Sequence, residues 1–451
     1  MKKVILSVLS VIVTAIIVTG IALIIYRNWT HKHPPTLEME EMPRILGENI
    51  IEGETNCGQV KVLIDKTKEI KLDAVGGKFI FDIDATNMEE GWHYLVFSVK
   101  RPFTRWTIQK ECFIQIIPEQ ADVYVPSLWV EAGRIGNQTY NSDYRQGIIE
   151  NYTPDSKYFD QEGFSEESET VKFDDNGIVL IKYGQEWEYN PVSVAQQALG
   201  HYNAFTESGD AREREKFVNI CEWFLINQEA DGSFPYPFSF MFKPDVEIPE
   251  GFVSGMAQGQ ILSVLARAWR LTGEQKYLEC GQKSLEFMVA SGEDDIFAGC
   301  GKTLEDICQL SADMEKYSEY VVYEEYVFNP STYVLNGDLF ALIGLADWMM
   351  TAPEEFGREK AETAFEDGVR GIEILLPYYD YYGYSSYDLF QYTGGVSSPF
   401  FNSKYAHKCH IYLLDALTDI SGSTIFRKYA EIFKDYSDDS FWKQTEVLYE
   451  K

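Results

Sequence analysis

Three short segments carry side chains able to move protons. Glu324-Glu325-Tyr326 sets two carboxylates beside a phenol, Tyr387-Asp388 joins a phenol to a carboxylate, and Tyr405 lies just ahead of His407 and His410. Carboxylates, phenols and imidazoles are the groups that give and take protons in general acid–base catalysis. His407 and His410, three apart, also suit a metal, but no third ligand stands at a convincing spacing, so no metal and no cofactor are expected. Gln258 and Asn336 sit just inside helix starts, where an amide can bind a hydroxyl or serve as a cap or core polar group. Tyr189 and His201 belong to the first helical pair, where Tyr202 and Phe205 mark much of the face as core.

The elements that must position these residues have a helical period. Asn190 as cap and Pro191 as first helical residue open a helix with Ala195, Ala198, Leu199, Tyr202 and Phe205 on one face. A second helix is expected over about 211–228, then pairs at about 254–272 and 275–291, 333–351 and 358–376, and 406–420 and 423–436. Gly273 and Gly292 mark stops, and Pro377 is expected to end its helix. Four hairpins without strands for a parallel sheet predict a mainly α domain, an (α/α) toroid or barrel over 190–451 with first helices inside. The same pattern fits an open solenoid. In a toroid the segments preceding the first helices meet at one mouth, together with helix N-termini that favour an anion.

The first half of the chain reads differently. Lys2 and Lys3 precede an apolar run from Val4 to Ile25, long enough to cross a bilayer, so residues 1–26 are expected as a transmembrane signal anchor. A type II orientation would put the body outside the cytoplasm or in a lumen. An aperiodic stalk is expected over 27–47, period-two strands of a small all-β sandwich over 48–118, and β-hairpins over 119–189. The run from Gly77 to Leu95 is similar to an immunoglobulin-like or bacterial adhesin-type module. Cys57 and Cys112 flank that sandwich, either as a disulfide staple or as two unpaired thiols, and seven cysteines leave at least one free.

Composition narrows the partners. With 39 Lys+Arg against 71 Asp+Glu the net charge is −32, which repels a phosphate backbone and excludes nucleic acid as a partner. The 29 Tyr and 28 Phe exceed the needs of a core and suit sugar rings, whose C–H faces stack on aromatic planes.

Ser254-Gly-Met-Ala-Gln-Gly-Gln-Ile-Leu-Ser, Tyr323-Glu-Glu-Tyr, Ser331-Thr-Tyr-Val-Leu-Asn-Gly, Ser386-Tyr-Asp-Leu and His407-Lys-Cys-His-Ile resemble the C-terminal domain of the D-glucuronyl C5-epimerases, over roughly 184–442. The resemblance implies an isomerase that inverts C5 of glucuronate to iduronate in a heparosan- or heparan-like polymer without a cofactor, often as a type II membrane protein of heparan sulfate biosynthesis. It implies proton carriers at Glu325 and Tyr387, with Tyr405 as the candidate for a third, and Tyr189, Gln258, Tyr326, Asn336, His407 and His410 are the candidate sugar contacts. A uronate-containing polysaccharide is the partner, the membrane is met through the N-terminal helix, and a homodimer is admitted. Two positions depart from the family pattern. Phe390-Gln391 replaces the Arg-His that follows Tyr-Asp-Leu in the animal enzymes, and Ala406 stands where a catalytic Tyr precedes His-x-x-His, with Tyr405 one residue earlier. On a helix one residue turns a side chain by about 100°.

Two other functions fit an α/α toroid. A polysaccharide lyase shares the C5 proton abstraction, and a hydrolase needs a second acid near Glu325, for which Asp388 and Glu188 are candidates. A membrane-tethered glycan-binding protein would keep the pocket without the chemistry.

Overall fold

A computed structural model describes residues 2–39, 45–46, 50–83, 88–89, 91–101, 106–117, 122–124, 143–161, 163–164, 166–292, 296–308, 315–381, 383, 385–394, 400 and 405–438. The chain divides into two compact units, Met1–Val130 and Glu131–Lys451.

The first unit opens with helix α1 (Lys2–Lys32). Its stretch Ile12–Thr30 is long and apolar enough to cross a membrane by length and composition. Strands β1 (Leu37–Met39), β3 (Ile50–Thr55) and β6 (Lys78–Asp82) form an antiparallel sheet. A second antiparallel sheet runs in the order β2 (Ile45–Leu46), β9 (Asp122–Tyr124), β8 (Thr107–Ile117), β7 (Gly91–Lys100), β4 (Gln59–Ile64), β5 (Lys68–Asp73). The alternation in β3, β4 and β6 has the physical cause expected of it. Ile51, Val60, Val62, Phe79 and Phe81 point into a core shared with Leu95, Phe97, Val99, Ile114 and Ile116. At its centre Phe97 meets Phe81 edge to face at 5.7 Å.

Two expectations change here. The stretch expected as a stalk is partly folded, since α1 runs to Lys32 and Leu37 pairs with Thr55. The larger sheet continues past residue 118 into β9. Of the two arrangements expected for Cys57 and Cys112, the structure has the two unpaired thiols. Cys57 lies in the bend after β3, whereas Cys112 sits within β8 opposite Leu95.

The second unit begins among its described residues with a 3-10 turn at Tyr144–Gly147 and a meander of β10 (Val171–Phe173), β11 (Val179–Tyr183) and β12 (Glu186–Glu188). Among the described residues eight long helices follow as four hairpins: α2 (Pro191–Ser208) with α3 (Ala211–Asn227), α4 (Gly255–Thr272) with α5 (Lys276–Met288), α6 (Leu335–Met349) with α7 (Arg358–Tyr379), and α8 (Ala406–Ser421) with α9 (Thr424–Tyr436). The first helices pack side by side in the order α2, α4, α6, α8.

Local chemistry sets these helices. Asn190 caps α2 by accepting from Ser193 N–H, Ser254 caps α4 by accepting from Ala257 N–H, and Ser423 caps α9 by accepting from Phe426 N–H. Gly209, Gly273 and Gly422 close α2, α4 and α8 in the left-handed conformation that costs glycine least. Every residue of α6 from Leu335 to Trp348 is buried, as befits a helix apolar all round. Its approach to α4 needs glycine, because a Cβ at Gly344 would lie 2.2 Å from the Gly259 carbonyl oxygen. Pro377 does not end α7 as expected. The helix continues to Tyr379, and a proline so near the terminus removes one donor while little ladder remains to be lost.

Two antiparallel strand pairs interrupt the helices: β13 (Phe240–Lys243) with β14 (Val246–Ile248), and β15 (Gly301–Thr303) with β16 (Val321–Tyr323). Neither was expected; β14 leads to the start of α4, and β16 leads into the connection that bears Glu324 and Glu325.

Candidate active site

Strand β16 delivers Glu324 and Glu325 to the start of α6. Glu324 is fixed at its backbone, its carbonyl accepting from Gly255 N–H at 2.6 Å and its N–H donating to Cys300 at 3.1 Å. Its carboxylate Oε1 then accepts from Thr332 N–H at 2.6 Å and Tyr333 N–H at 2.9 Å, tying down the loop ahead of α6. Glu324 is thus a fully buried structural acid, and burial pushes it up to about 7 against those hydrogen bonds.

Glu325 turns the other way. Its Oε1 accepts from the Tyr387 hydroxyl at 3.2 Å and its Oε2 from the Asn336 amide at 3.1 Å, with Tyr326 as a further side-chain donor. The carboxylate packs over Gly337, where a Cβ would meet Glu325 Oε2 at 2.6 Å and its Cβ at 2.2 Å. Burial raises Glu325 to about 7, the three donors pull it down, and the Asp388 carboxylate pushes it up. Burial is the largest of those influences and leaves the acid titrating near neutrality, the range in which one group can both take and return a proton.

Three phenols border this carboxylate. Tyr326 stacks on Phe240 at 5.2 Å and lies beside Phe242 at 5.3 Å, so β13 roofs it. Tyr387 meets Phe400 edge to face at 5.5 Å, and its backbone carbonyl accepts from Leu335 N–H at 3.0 Å, binding its loop to the start of α6. Tyr405 is 37% exposed. Burial of the hydroxyl, then the Cys409 thiol, then the charges of Glu325 and Tyr326, raise its pKa, and Tyr405 in turn raises that of Tyr387. All four groups therefore share one electrostatic neighbourhood. The one-residue displacement ahead of Ala406 has a physical resolution. Tyr405 is the cap residue of α8, with φ −119° and ψ −68°, and is not yet bound by the rotation per residue of a regular helix.

The remaining expected residues go elsewhere. Tyr189 donates its hydroxyl to Asp174 at 2.9 Å and packs on Trp223. Gln258 is buried within α4, donating to the carbonyls of Gly232 at 3.2 Å and Ser284 at 3.3 Å. His201 binds Glu213 at 2.6 Å. His407 and His410 are wholly buried and share Ser385 Oγ, each through Nδ1 at 2.7 Å. The Phe433 carbonyl lies 3.1 Å from His407 Nε2, which must therefore carry the proton, so Ser385 donates to His407 and accepts from His410. Burial lowers His407 to about 4 and His410 further below its ordinary value. This pair ties α8 to α9 and to the Ser385 segment from a wholly buried position. No cluster of three metal-ligating side chains occurs among the described residues.

Sequence reasoning overlooked the aromatic roof and its cation. Tyr236, Phe238, Ile248, Phe252 and Ala257 form a core against which Tyr183, Phe240, Phe242 and Tyr326 pack. Lys243, next along β13, binds the buried carboxylate of Asp388. The signal was present in the alternation of Phe238, Phe240 and Phe242 before Pro244-Asp245.

An acid near neutrality, ringed by phenols and roofed by aromatic planes, assembles the groups that general acid–base catalysis uses. Residues 228–435 match the family model described as the D-glucuronyl C5-epimerase C-terminus. A D-glucuronyl C5-epimerase of Caenorhabditis elegans is 29% identical over 230 residues, 49% of this chain and 35% of that protein. An uncharacterized protein of Methanocaldococcus jannaschii is 24% identical over 195 residues, 43% of this chain and 54% of that protein. The chain thus spans about a third of the nematode enzyme and about half of the archaeal protein. Among solved structures, a family 76 glycoside hydrolase from a bovine Bacteroides thetaiotaomicron strain aligns over 86% of this chain and 99% of its own, at 10% identity and a TM-score of 0.37. That similarity is too low to carry a conclusion.

Proposed function

We propose that the protein is a C5-epimerase acting on glucuronate within a heparosan- or heparan-like polysaccharide, with Glu325, Tyr387 and Tyr405 as proton carriers. The observation that carries this reading is the Glu325 carboxylate, buried beside Tyr387, Tyr326 and Tyr405 and titrating near neutrality. The proton on C5 is acidified by the adjacent carboxylate. Glu325 takes it, the C5–H electron pair moves into the carboxylate as an enolate, and a phenol on the opposite face returns a proton to C5. No bond of the chain breaks. Tyr326 and Asn336 hold Glu325 in place, and the aromatic roof excludes water and offers a stacking plane to the sugar.

In the same reading the helical unit is an (α/α) toroid whose mouth holds the site, the N-terminal β unit is an immunoglobulin-like spacer, and α1 anchors a type II protein with its body extracytoplasmic or lumenal. Homodimerisation belongs to that proposal as well. The hydrolase alternative fares worse, because the candidate second acid Asp388 is bound to Lys243 and also accepts from Phe390 N–H at 3.0 Å.

The test is incubation of a glucuronate polymer with the protein in heavy water. Deuterium at C5 of both glucuronate and its epimer, in a chain of unchanged length, is the expected result. An unsaturated uronate absorbing in the ultraviolet would mark a lyase, and new reducing ends without label a hydrolase. Binding without label or cleavage would mark a glycan-binding protein, and any of these three outcomes overturns the proposal.

A further inference from the structure

Deprotonating C5 of a uronate gives an enolate with two negative charges on one small group, and something must meet that charge. Glu325 and the phenols cannot, since they handle the proton. Phe390 cannot either, being buried edge-on against Phe242 at 5.5 Å.

The cation the structure brings to this cluster comes from β13. Phe242, the residue before Lys243, touches Tyr326 on one side and Phe390 on the other. The Lys243 ammonium lies 4.7 Å from the ring centre of Phe242 and 4.4 Å from that of Phe400, the ring that also packs on Tyr387. It binds Asp388 Oδ2, and Asp388 stands directly after Tyr387 with its charge felt at Glu325. Asp388 is completely buried, while the Lys243 side chain keeps 13% of its surface open. The anchor is thus inside and its cation is partly outside.

An ammonium has three N–H donors, and Asp388 takes one. The rings of Phe242 and Phe400 attract the charge through their faces without supplying acceptor oxygens. An oxyanion is the ligand that suits a cation so placed, because the surrounding aromatic surface lowers the local dielectric and strengthens the attraction.

We propose that Lys243, held by Asp388 and the rings of Phe242 and Phe400, binds the carboxylate of the uronate whose C5 faces Glu325. This inference rests on the epimerase reading for the identity of the sugar. It adds a carboxylate-binding residue on the hairpin ahead of α4 and makes Asp388 a positioning residue that acts through Lys243.

The experiment compares binding of two polymers to the full chain: a glucuronate polymer and the same polymer with its carboxylates reduced to hydroxymethyl groups. A charge-assisted hydrogen bond predicts that the wild type prefers the carboxylate form by about tenfold or more. Lys243→Met leaves Asp388 buried without its partner, so the companion variant Lys243→Met with Asp388→Asn keeps the net charge and removes the orphaned acid. In the folded variants the preference is expected to fall to about twofold or less, and Lys243→Arg is expected to restore most of it. C5 exchange should fall together with the preference. A folded double variant that still prefers the carboxylate form by tenfold overturns the assignment, as does undiminished exchange in Lys243→Met. Failure of the epimerase reading looks different: wild-type protein would then discriminate the two polymers through Lys243 yet place no deuterium at C5.

Discussion

Two groups of buried charge lie within the helical unit, and they are built on opposite plans. Arg267 of α4 is wholly buried and donates to Asp347 Oδ2 at 2.6 Å, to the Ser263 carbonyl at 3.1 Å and to the Tyr152 hydroxyl at 2.9 Å. Tyr152 also donates to Asp347 at 3.0 Å, and the guanidinium lies 5.2 Å from the ring centre of Tyr158. Burial opposes the charge of Arg267, but Asp347 and Tyr152 outweigh it and raise its pKa. Opposite charges meet, and the network ties α4 to α6 and to the segment before the meander. Around Glu325 the acids accumulate instead. Glu324 and Glu325 both rise to about 7, and burial together with their charges drives Asp338 far above its ordinary range. A fold that answers one buried charge with a counterion and leaves another acid with phenols and an amide keeps a neutralised charge apart from an acid raised toward neutrality, and under the proposed function that divides stability from proton transfer.

The sharpest break of that contrast is Glu325→Gln. Loss of a proton carrier is expected to lower C5 exchange by about 10⁴-fold, the upper range for an acid or base, while stability changes by no more than about 1 kcal/mol. Thermal melting and deuterium incorporation on the same preparation check both halves. A collapsed melting curve would place Glu325 with the structural acids.

Asp347→Ala should do the reverse. Leaving Arg267 buried without its counterion is expected to cost about 3–5 kcal/mol, read as a lower denaturant midpoint, with C5 exchange per folded molecule retained. If exchange disappears while stability holds, the two groups are not separate.

Tyr405→Phe refines the comparison within the site itself. The hydroxyl is buried and senses Glu325, while the residue as a whole keeps 37% of its surface open. Turnover is expected to fall by about 100-fold. Unchanged turnover would assign that face to another phenol.

Which of these features could be read from sequence follows from how local their causes are. Caps and stops at Asn190, Ser254, Gly273, Gly422 and Ser423 act within one turn, so the helical hairpins were legible. Glu325, Tyr326 and Tyr387 were legible as motifs, and the structure brings them within hydrogen-bonding range of one another together with Asn336. The partners of Gln258, His407 and His410 were not legible, because helix position does not reveal what a polar side chain faces. Gln258 finds a carbonyl 26 residues away in each direction, and the two histidines share a serine 22 and 25 residues earlier. Lys243 was illegible for a related reason. Its partner Asp388 is 145 residues distant, and the hairpin holding it is only two short strands between long helices.

The smallest expected effect is also the most specific to an acid without a cation. Glu325 must be ionised to take the C5 proton, so with its pKa near 7 the exchange rate should fall about tenfold per pH unit below neutrality and level off above it. The limb should appear with either epimer as substrate, because the two directions draw on one proton shared differently between Glu325 and the phenol. Stability carries the opposite sign. Between the ordinary value of 4.5 and the folded value of about 7 the native state binds more protons than the unfolded state, so stability falls as pH rises through that window. Glu324 contributes in the same direction and survives in Glu325→Gln, so that variant should show a shallower decline rather than none. Denaturant midpoints at pH 5 and pH 8 for wild type and variant would show it, to within about 1 kcal/mol. An exchange limb centred near 4.5 would mean that a counterion reaches Glu325 after all, and the contrast with Arg267 and Asp347 would be lost.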